Sequence, residues 1–228
     1  MMDKIINIAM DGPVGAGKSS IARAVADRLN ILHLDTGAMY RAVGLTAISR
    51  GVSVNDEEAV SALCKEITLT VEHHADGQHT LVDGRDVTGS LRTEEVSMAA
   101  SRVATYPGVR AEMVAIQQRL AKTTSMLVDG RDIGTRVLPD ATIKIFLTAQ
   151  AEERARRRYV QLQEAGASDT FEQVLEDLRR RDDQDMNRKT DPLRVAEDAV
   201  VVDSTDCTFE QTVERILMLV EERIREKE

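Results

Sequence analysis

The fold of this chain is decided by the stretch Gly12-Pro13-Val14-Gly15-Ala16-Gly17-Lys18-Ser19, which fits the phosphate-binding pattern G-x-x-x-x-G-K-[ST] at every fixed position. An apolar run, residues 5–10, precedes it, and apolar residues at helical spacing follow it. A strand, a glycine-rich loop and a helix in that order direct backbone N–H groups and the positive end of the helix dipole at phosphate oxygens. The alternative, a glycine-rich turn that merely caps a helix, is disfavoured by this flanking context. The sequence therefore predicts a nucleotide-binding loop.

Each polar side chain of this loop has a predicted task. The Lys18 ammonium group is expected to reach the outer phosphates, and the Ser19 hydroxyl is expected to ligate Mg²⁺. The residues predicted to bind the nucleotide are Gly12, Pro13, Val14, Gly15, Ala16, Gly17, Lys18, Ser19 and Ser20.

Composition narrows the class of protein. The 228 residues are enough for one domain with insertions, and 42% hydrophobic with 30% charged residues indicates a globular protein. A net charge of −9 disfavours general nucleic-acid binding, which needs broad positive surfaces. No apolar run is long enough to span a membrane, no secretory signal is visible, and Cys64 and Cys207 fit reduced thiols. We expect a cytoplasmic protein without membrane or nucleic-acid partners, in which local arginine clusters bind anions.

Short apolar runs alternate with segments of helical spacing along the chain. Continuous apolar runs are typical of parallel strands that helices cover on both faces, so the sequence predicts an α/β fold. Thr170-Phe-Glu-Gln173 and Thr208-Phe-Glu-Gln211 each fit a capping box and predict the starts of two helices. The predicted core strands are residues 5–10, 31–34, 125–128, 143–147 and 199–202.

One region departs from this alternation. Residues 67–85 read as a strand, an Asp76-Gly77 turn and a second strand, which is typical of a β-hairpin. The sequence therefore predicts a small antiparallel flap inserted into the α/β core.

The hexapeptide Leu-Val-Asp-Gly-Arg-Asp occurs twice, at residues 81–86 and 127–132. Only one copy can supply the carboxylate that follows a core strand and faces the metal. The first copy lies in the predicted hairpin, so we interpret Asp83 as a structural turn residue. The second precedes another core strand, so Asp129 is predicted to lie near Mg²⁺.

A polar cluster, Asp35-Thr36-Gly-Ala-Met-Tyr40-Arg41, follows the second predicted strand. Loops beyond the carboxyl ends of the strands form the ligand crevice in open α/β sheets, so this segment is expected to open onto the phosphate-binding loop. Asp35 or Thr36 also suits a helix N-cap, but capping does not explain Tyr40 and Arg41. A role in substrate binding is therefore predicted.

An arginine cluster lies beyond the fourth predicted strand. Arg154, Arg157 and Arg158 share one face of a helix, from which Arg156 is turned away. A solvated helix face is the alternative, but the position after a core strand favours a lid that clamps phosphates through planar guanidinium groups.

A second arginine-rich segment, residues 179–188, leaves two interpretations open. Arg181, Asp185 and Arg188 lie on one face if the helix continues that far. The three side chains suit a surface ion-pair network, and they equally suit phosphate binding by the arginines with sugar hydroxyls bound by the carboxylate. Spacing alone does not rank the two.

The sequence also lacks an N-K-x-D guanine-reading motif and an LSGGQ-like signature, which favours small-molecule phosphoryl transfer. With the clusters above, the chain resembles the bacterial cytidylate kinases, the CMP/dCMP kinases of the nucleoside monophosphate kinase family. The resemblance runs in order from end to end of the chain. It is carried by residues 11–20, 35–41, 97–101, 129–135, 144–147, 153–158 and 181–188.

The resemblance implies a P-loop NTPase fold, a parallel sheet flanked by helices with a small antiparallel β insert and a helical lid. It implies one kinase domain over residues 1–228 and a monomer. The expected divisions are a core at about 1–62 and 104–228, an NMP-binding insert at about 63–103 and a lid at about 150–166.

The resemblance also assigns roles to matching positions. Catalytic roles in stabilising the transferred phosphoryl group are expected for Lys18, Arg131, Arg154, Arg157, Arg158 and Arg188. The metal is expected at Ser19 and Asp129, partly through water. The residues expected to bind the acceptor are Thr36, Tyr40, Arg41, Ser101, Arg110, Arg131, Asp132, Arg181, Asp185 and Arg188.

The implied reaction is ATP- and Mg²⁺-dependent transfer of the γ-phosphoryl group to CMP or dCMP, with ATP and CMP/dCMP as partners. Neither His33 nor His79 is expected to act as a general base. The loop at residues 203–205 is the candidate adenine site. The alternatives are a small P-loop kinase for AMP, UMP or a non-nucleotide acceptor such as shikimate, and an ATP-binding module without transfer.

Overall fold

The computed structural model describes residues 5–164 and 166–226, in which strands and helices alternate as predicted. A 3₁₀ turn (Thr88–Ser90) and a π turn (Ile133–Val137) interrupt the regular elements. The strands and α-helices, in chain order, are β1 (Asn7–Asp11), α1 (Lys18–Leu29), β2 (Leu32–Asp35), α2 (Thr36–Ser49), α3 (Glu57–Glu66), β3 (Leu69–His74), β4 (Gly77–Val82), β5 (Arg85–Asp86), α4 (Glu94–Val103), α5 (Pro107–Ala121), β6 (Met126–Gly130), β7 (Ile143–Thr148), α6 (Ala151–Glu164), α7 (Phe171–Asn187), β8 (Val200–Asp203) and α8 (Phe209–Glu226).

The central sheet is parallel, with the strand order β2-β6-β1-β7-β8. All five predicted core strands are confirmed, and each ends one or two residues later than predicted. Main-chain pairing does not require apolar side chains, so the ladders continue into polar residues, and Asp35 lies in register with Asp129. The carboxyl edge of the sheet therefore carries a row of carboxylates.

Helices cover both faces of this sheet. On one face α1 and α8 bury Val25 and Ile216, and on the other α2 and α5 bury Met39 and Met113. Burial of such a side chain stabilises the fold by roughly 1.5–3 kcal/mol. The two apolar layers fix the strand ends that position the site.

The predicted flap is confirmed as a three-stranded antiparallel sheet, β3-β4-β5. The interpretation of Asp83 as a turn residue is also confirmed. Its φ is 50°, and its carboxylate accepts a 2.8 Å hydrogen bond from the Thr68 N–H and a 2.8 Å hydrogen bond from Arg50. These contacts close the turn between β4 and β5.

Both predicted capping boxes are present. Thr170 and Gln173 exchange side-chain and main-chain hydrogen bonds at the start of α7, and Thr208 and Gln211 do so at the start of α8. Within the described ranges, no helix combines the length and the hydropathy needed to cross a membrane.

Candidate active site

The phosphate-binding loop joins β1 to α1, as predicted. Gly12 has a φ of 152°, and a Cβ atom there would lie 2.0 Å from the Leu147 carbonyl oxygen, so only glycine lets the loop pass β7. Gly17 adopts a left-handed conformation (φ 81°) and forms the N-cap of α1. The loop thereby opens at the amino end of α1, an arrangement that binds phosphate through main-chain N–H groups.

Lys18 is buried at this position. Its ammonium group donates a 2.6 Å hydrogen bond to the Pro13 carbonyl oxygen. Burial, followed by repulsion from Arg131, lowers the pKa of Lys18 to about 7. A phosphate bound in the loop would favour the charged form of Lys18 and raise this pKa.

Ser19 and Asp129 are brought together, as the assignment of Asp129 over Asp83 predicts. The Ser19 hydroxyl donates a 2.7 Å hydrogen bond to Asp129 Oδ2, while His33 Nε2 lies 2.9 Å from Asp129 Oδ1. Burial would raise the pKa of Asp129, but the contact with His33, the Ser19 hydroxyl and the charge of Lys18 together outweigh it and lower that pKa. A hydroxyl and an ionised carboxylate in contact are the hard oxygen ligands that Mg²⁺ prefers, so these residues fit the metal.

Sequence reasoning did not identify two groups at this edge of the sheet. The first is His33 in its contact with Asp129, which only the pairing of β2 with β6 reveals. The second is Asp11, whose buried carboxylate accepts hydrogen bonds of 2.7 and 2.8 Å from the Ile133 and Gly134 N–H groups. Burial raises the pKa of Asp11 to about 6 in spite of these bonds. The only sequence signal for Asp11 is its position directly before the loop.

A cavity of about 180 Å³ adjoins the loop, between α2, α4, α5, α7 and the end of β6. Elements far apart in the chain build it, and all ten residues predicted to bind the acceptor line it. These are Thr36, Tyr40, Arg41, Ser101, Arg110, Arg131, Asp132, Arg181, Asp185 and Arg188. Their individual roles remain predictions.

A buried charge network occupies one wall of this acceptor cavity. Arg110 is only 2% exposed, and its guanidinium group contacts Asp132 and donates a 2.9 Å hydrogen bond to Asp191 and a 3.3 Å hydrogen bond to the Tyr40 hydroxyl. Arg188 donates a 2.9 Å hydrogen bond to the other oxygen of Asp132. Two guanidinium groups thus fix one carboxylate. Asp191 was not predicted, and its one signal is its place three residues after Arg188.

Side chains of α7 also line this cavity. The condition for a shared face of Arg181, Asp185 and Arg188 is not met, because α7 ends before Arg188, whose backbone is extended (φ −61°, ψ 143°). Asp185 instead accepts a 2.7 Å hydrogen bond from Arg131, and Arg181 pairs with Asp177 at 2.8 Å. Arg131, Arg181 and Asp185 all line the cavity.

The cluster after β2 lies where the acceptor cavity meets a larger cavity of about 1090 Å³ under the flap; Arg41 lines both. Arg41 donates a 2.8 Å hydrogen bond to Asp35, and the Arg41 Nε atom is buried without a hydrogen-bond partner among the described residues. Thr36 is buried, and its hydroxyl donates a 2.7 Å hydrogen bond to the Asp129 carbonyl oxygen. That bond ties the cluster to the loop side of the site.

The three arginines predicted to share a face of α6 have different surroundings. Arg154 is buried, pairs with Asp182 at 2.7 Å and donates to a carbonyl oxygen of the phosphate-binding loop. Arg157 donates a 2.6 Å hydrogen bond to the carbonyl oxygen of Ser204, in the candidate adenine loop. Arg158 is exposed. Of the three, Arg154 and Arg157 therefore touch segments predicted to bind ATP.

The sheet order, the glycine-rich loop at the amino end of α1 and the adjoining arginine-lined cavity define a protein of the P-loop NTPase class. The family model for cytidylate kinase matches residues 8–222. The chain is 48% identical to a cytidylate kinase of Caldicellulosiruptor saccharolyticus, covering 95% of this chain and 96% of that protein. It is 47% identical to a cytidylate kinase of Geobacillus kaustophilus, and this match covers 98% of this chain and 100% of that protein. The chain therefore belongs to the cytidylate kinase family.

A similar fold occurs in a solved structure of an uncharacterized protein from Eubacterium ventriosum. It matches with a TM-score of 0.54, 10% sequence identity and coverage of 95% of this chain and 98% of that one. At this identity the likeness shows the fold alone.

Proposed function

We propose that the protein transfers the γ-phosphoryl group of ATP to CMP or dCMP, giving ADP and CDP or dCDP. The observation that carries this proposal is the buried Arg110–Asp132–Arg188 network in a cavity beside the phosphate-binding loop. A carboxylate can accept from the exocyclic amine of cytosine, which uracil lacks, while a guanidinium group donates to the ring acceptors. Family membership supports the same acceptor.

On the donor side, we assign ATP binding to the loop residues from Gly12 to Ser20. Ser19 and Asp129 would hold Mg²⁺, partly through water, and the ion would supply charge neutralisation at the phosphates. Lys18 would exchange its bond to the Pro13 carbonyl oxygen for the outer phosphates. Arg154 and Arg157, on α6, would complete the donor side, with residues 150–166 acting as a lid that includes Arg158.

On the acceptor side, we assign the phosphate to Arg41, Arg131 and Arg188. Ser101 would join Arg110 and Asp132 at the base. Arg181 and Asp185 would address the sugar hydroxyls, with Thr36 and Tyr40 around the nucleotide. Residues 63–103 would form the acceptor-binding insert. The aspartates that pair with these arginines keep the guanidinium groups oriented before substrate arrives, which lowers the cost of reorganisation.

The chemistry then needs no general base. The acceptor is a phosphate monoester whose second pKa of about 6 leaves it mostly dianionic at neutral pH. One of its oxygens attacks the γ-phosphorus, the bond from that phosphorus to the bridging oxygen breaks, and ADP leaves with the electron pair. The residues contribute position and positive charge, and closure of insert and lid would exclude water as a competing acceptor. We further propose that a monomer performs this reaction in the cytoplasm, without nucleic-acid or membrane partners.

The proposal is tested by ADP release with ATP and Mg²⁺, offering CMP, dCMP, UMP, AMP and shikimate in parallel. We expect turnover with CMP and dCMP far above that with the other three. Turnover with a different acceptor would support a phosphotransferase activity but would contradict the assignment of a cytosine-binding site. No turnover with any acceptor, in protein that still binds ATP, would leave an ATP-binding module.

A further inference from the structure

A side-chain amide joins the flap to the end of β2. Gln78, near the hairpin tip, accepts a 2.7 Å hydrogen bond from the Asp35 N–H through Oε1. Its Nε2 donates a 3.2 Å hydrogen bond to the Asp35 carbonyl oxygen and a 3.3 Å hydrogen bond to the Thr80 hydroxyl. The amide thereby satisfies both main-chain groups of Asp35 and fixes this residue at the end of β2.

Asp35 in turn orients Arg41. One carboxylate oxygen accepts from the Ala38 N–H at 3.0 Å and caps α2, while the other accepts from Arg41 at 2.8 Å. The space around this pair is tight, because a Cβ atom on Gly37 would lie 2.9 Å from the Asp35 carboxylate and 3.1 Å from the Arg41 guanidinium group. We therefore expect a shift of the Asp35 main chain to disturb the position of the Arg41 side chain.

We propose that Gln78 is a positioning residue for the acceptor phosphate, because it links the flap to the Arg41 guanidinium group through Asp35. The inference rests on the proposed phosphate-binding role of Arg41. It is supported by the position of Arg41, which lines the acceptor cavity and whose buried Nε has no hydrogen-bond partner in the described part of the chain. Gln78 does not line the acceptor cavity, and its hydrogen bonds reach Arg41 through Asp35.

A second flap contact provides a matched control. Arg23, on α1, donates a 2.7 Å hydrogen bond to the Asp76 carbonyl oxygen in the same hairpin turn. That contact fastens the flap without touching Asp35 or Arg41. If flap attachment alone mattered, loss of Arg23 and loss of Gln78 would have similar consequences.

The test is titration calorimetry of CMP and of ATP with Gln78→Ala, Arg23→Ala, Arg41→Ala and the Gln78→Ala/Arg41→Ala double variant, with melting curves to verify folding. We expect Gln78→Ala to raise the Kd of CMP about tenfold and Arg41→Ala to raise it more, while the Kd of ATP stays unchanged. Arg23→Ala should bind CMP like the parent. The double variant should match Arg41→Ala alone, because both changes interrupt one chain of contacts.

The outcomes separate the inference from the proposed function. If Arg41→Ala binds CMP as the parent does, the phosphate role of Arg41 is wrong, and the inference is overturned with it. If Arg41→Ala weakens CMP but Gln78→Ala does not, only the positioning role is overturned. Equal losses in Arg23→Ala and Gln78→Ala, or additive losses in the double variant, would also contradict a route through Asp35.

Discussion

The phosphate-binding loop and the acceptor cavity are both suited to phosphate, but they are built differently. The loop is one contiguous segment that presents main-chain N–H groups at the end of a helix. The cavity gathers side chains from α2, α4, α5, α7 and β6, and aspartates hold its arginines. A main-chain site depends on local geometry, whereas a side-chain site depends on tertiary packing and charge balance. The two should therefore respond differently to substitution.

The largest expected effect concerns Lys18, the positively charged side chain of the phosphate-binding loop. Lys18→Ala should lower kcat/KM by about 10³-fold, because a positive charge aimed at the transferred phosphoryl group is lost. The fold should persist, since the charged form of this buried lysine is already disfavoured, as its pKa of about 7 indicates. The measurement is ADP release with circular dichroism as the folding check. Near-parental activity would contradict the loop assignment.

The acceptor cavity should instead lose stability when a partner is removed. Asp132→Ala leaves Arg110 and Arg188 buried with one carboxylate fewer, and we expect a loss of about 3–5 kcal/mol in the free energy of unfolding. Urea unfolding measures it. The matched control is Glu214→Ala, which breaks an exposed pair with Arg28 and should cost about 0–1 kcal/mol. Similar losses in both variants would refute the contrast between buried and surface pairs.

Proton uptake when ADP binds should test whether Lys18 becomes charged in the phosphate-binding loop. Lys18 has a pKa of about 7 in the free protein, and bound phosphates raise it. At pH 8 the free lysine is mostly neutral, so ADP binding should take up about one proton, and affinity should fall as pH rises above 7. Calorimetry in buffers of different ionisation enthalpy measures the uptake. Lys18→Met should abolish it; uptake that persists in this variant would assign the proton to another group.

The smallest expected effect lies in the flap. Hydrogen bonds to Asp86 at 2.6 Å and Asp76 at 2.9 Å raise the pKa of His79 above its ordinary value of 6.5. The stabilisation of the folded state by protonated His79 is therefore complete below pH 6.5, and it is lost as the pH rises through the raised pKa. His79→Gln should lower the melting temperature at pH 5.5 and have little effect at pH 9.

A second histidine of the same hairpin serves as the control for this prediction. Burial, followed by repulsion from His33, lowers the pKa of His73, so the sign is reversed. His73→Gln should raise the melting temperature at pH 5.5 relative to pH 9. If the melting temperatures of both variants changed with pH in the same direction, the opposite pKa shifts of His79 and His73 would be ruled out.

The same contrast explains how much the sequence could predict. The loop, the core strands, the flap and the two capping boxes depend on neighbours in the chain, and all were predicted. The motif alone was enough to predict Lys18 and Ser19 as loop side chains. The order of strands was enough to choose Asp129 over Asp83 as the carboxylate near the loop. The composition of the acceptor cavity followed from the family resemblance rather than from spacing.

Contacts between distant elements were beyond sequence reasoning. His33 meets Asp129 only because β2 pairs with β6, and Asp191 reaches Arg110 only because the chain turns after α7. Arg188 would share a helical face with Arg181 and Asp185 only if the helix continued that far, and α7 ends one residue earlier. Periodicity does not specify where a helix ends, nor which carboxylate each arginine selects.

The central claim is that Asp132, fixed between Arg110 and Arg188, recognises cytosine. The most direct test is the ratio of kcat/KM for CMP to that for UMP in the parent and in Asp132→Asn, which has nearly the same shape. We expect a parental ratio of about 10² or more that falls at least about tenfold in the variant, because the carboxylate proposed to accept from the exocyclic amine is lost. An unchanged ratio, in a variant that still turns over CMP, would contradict it.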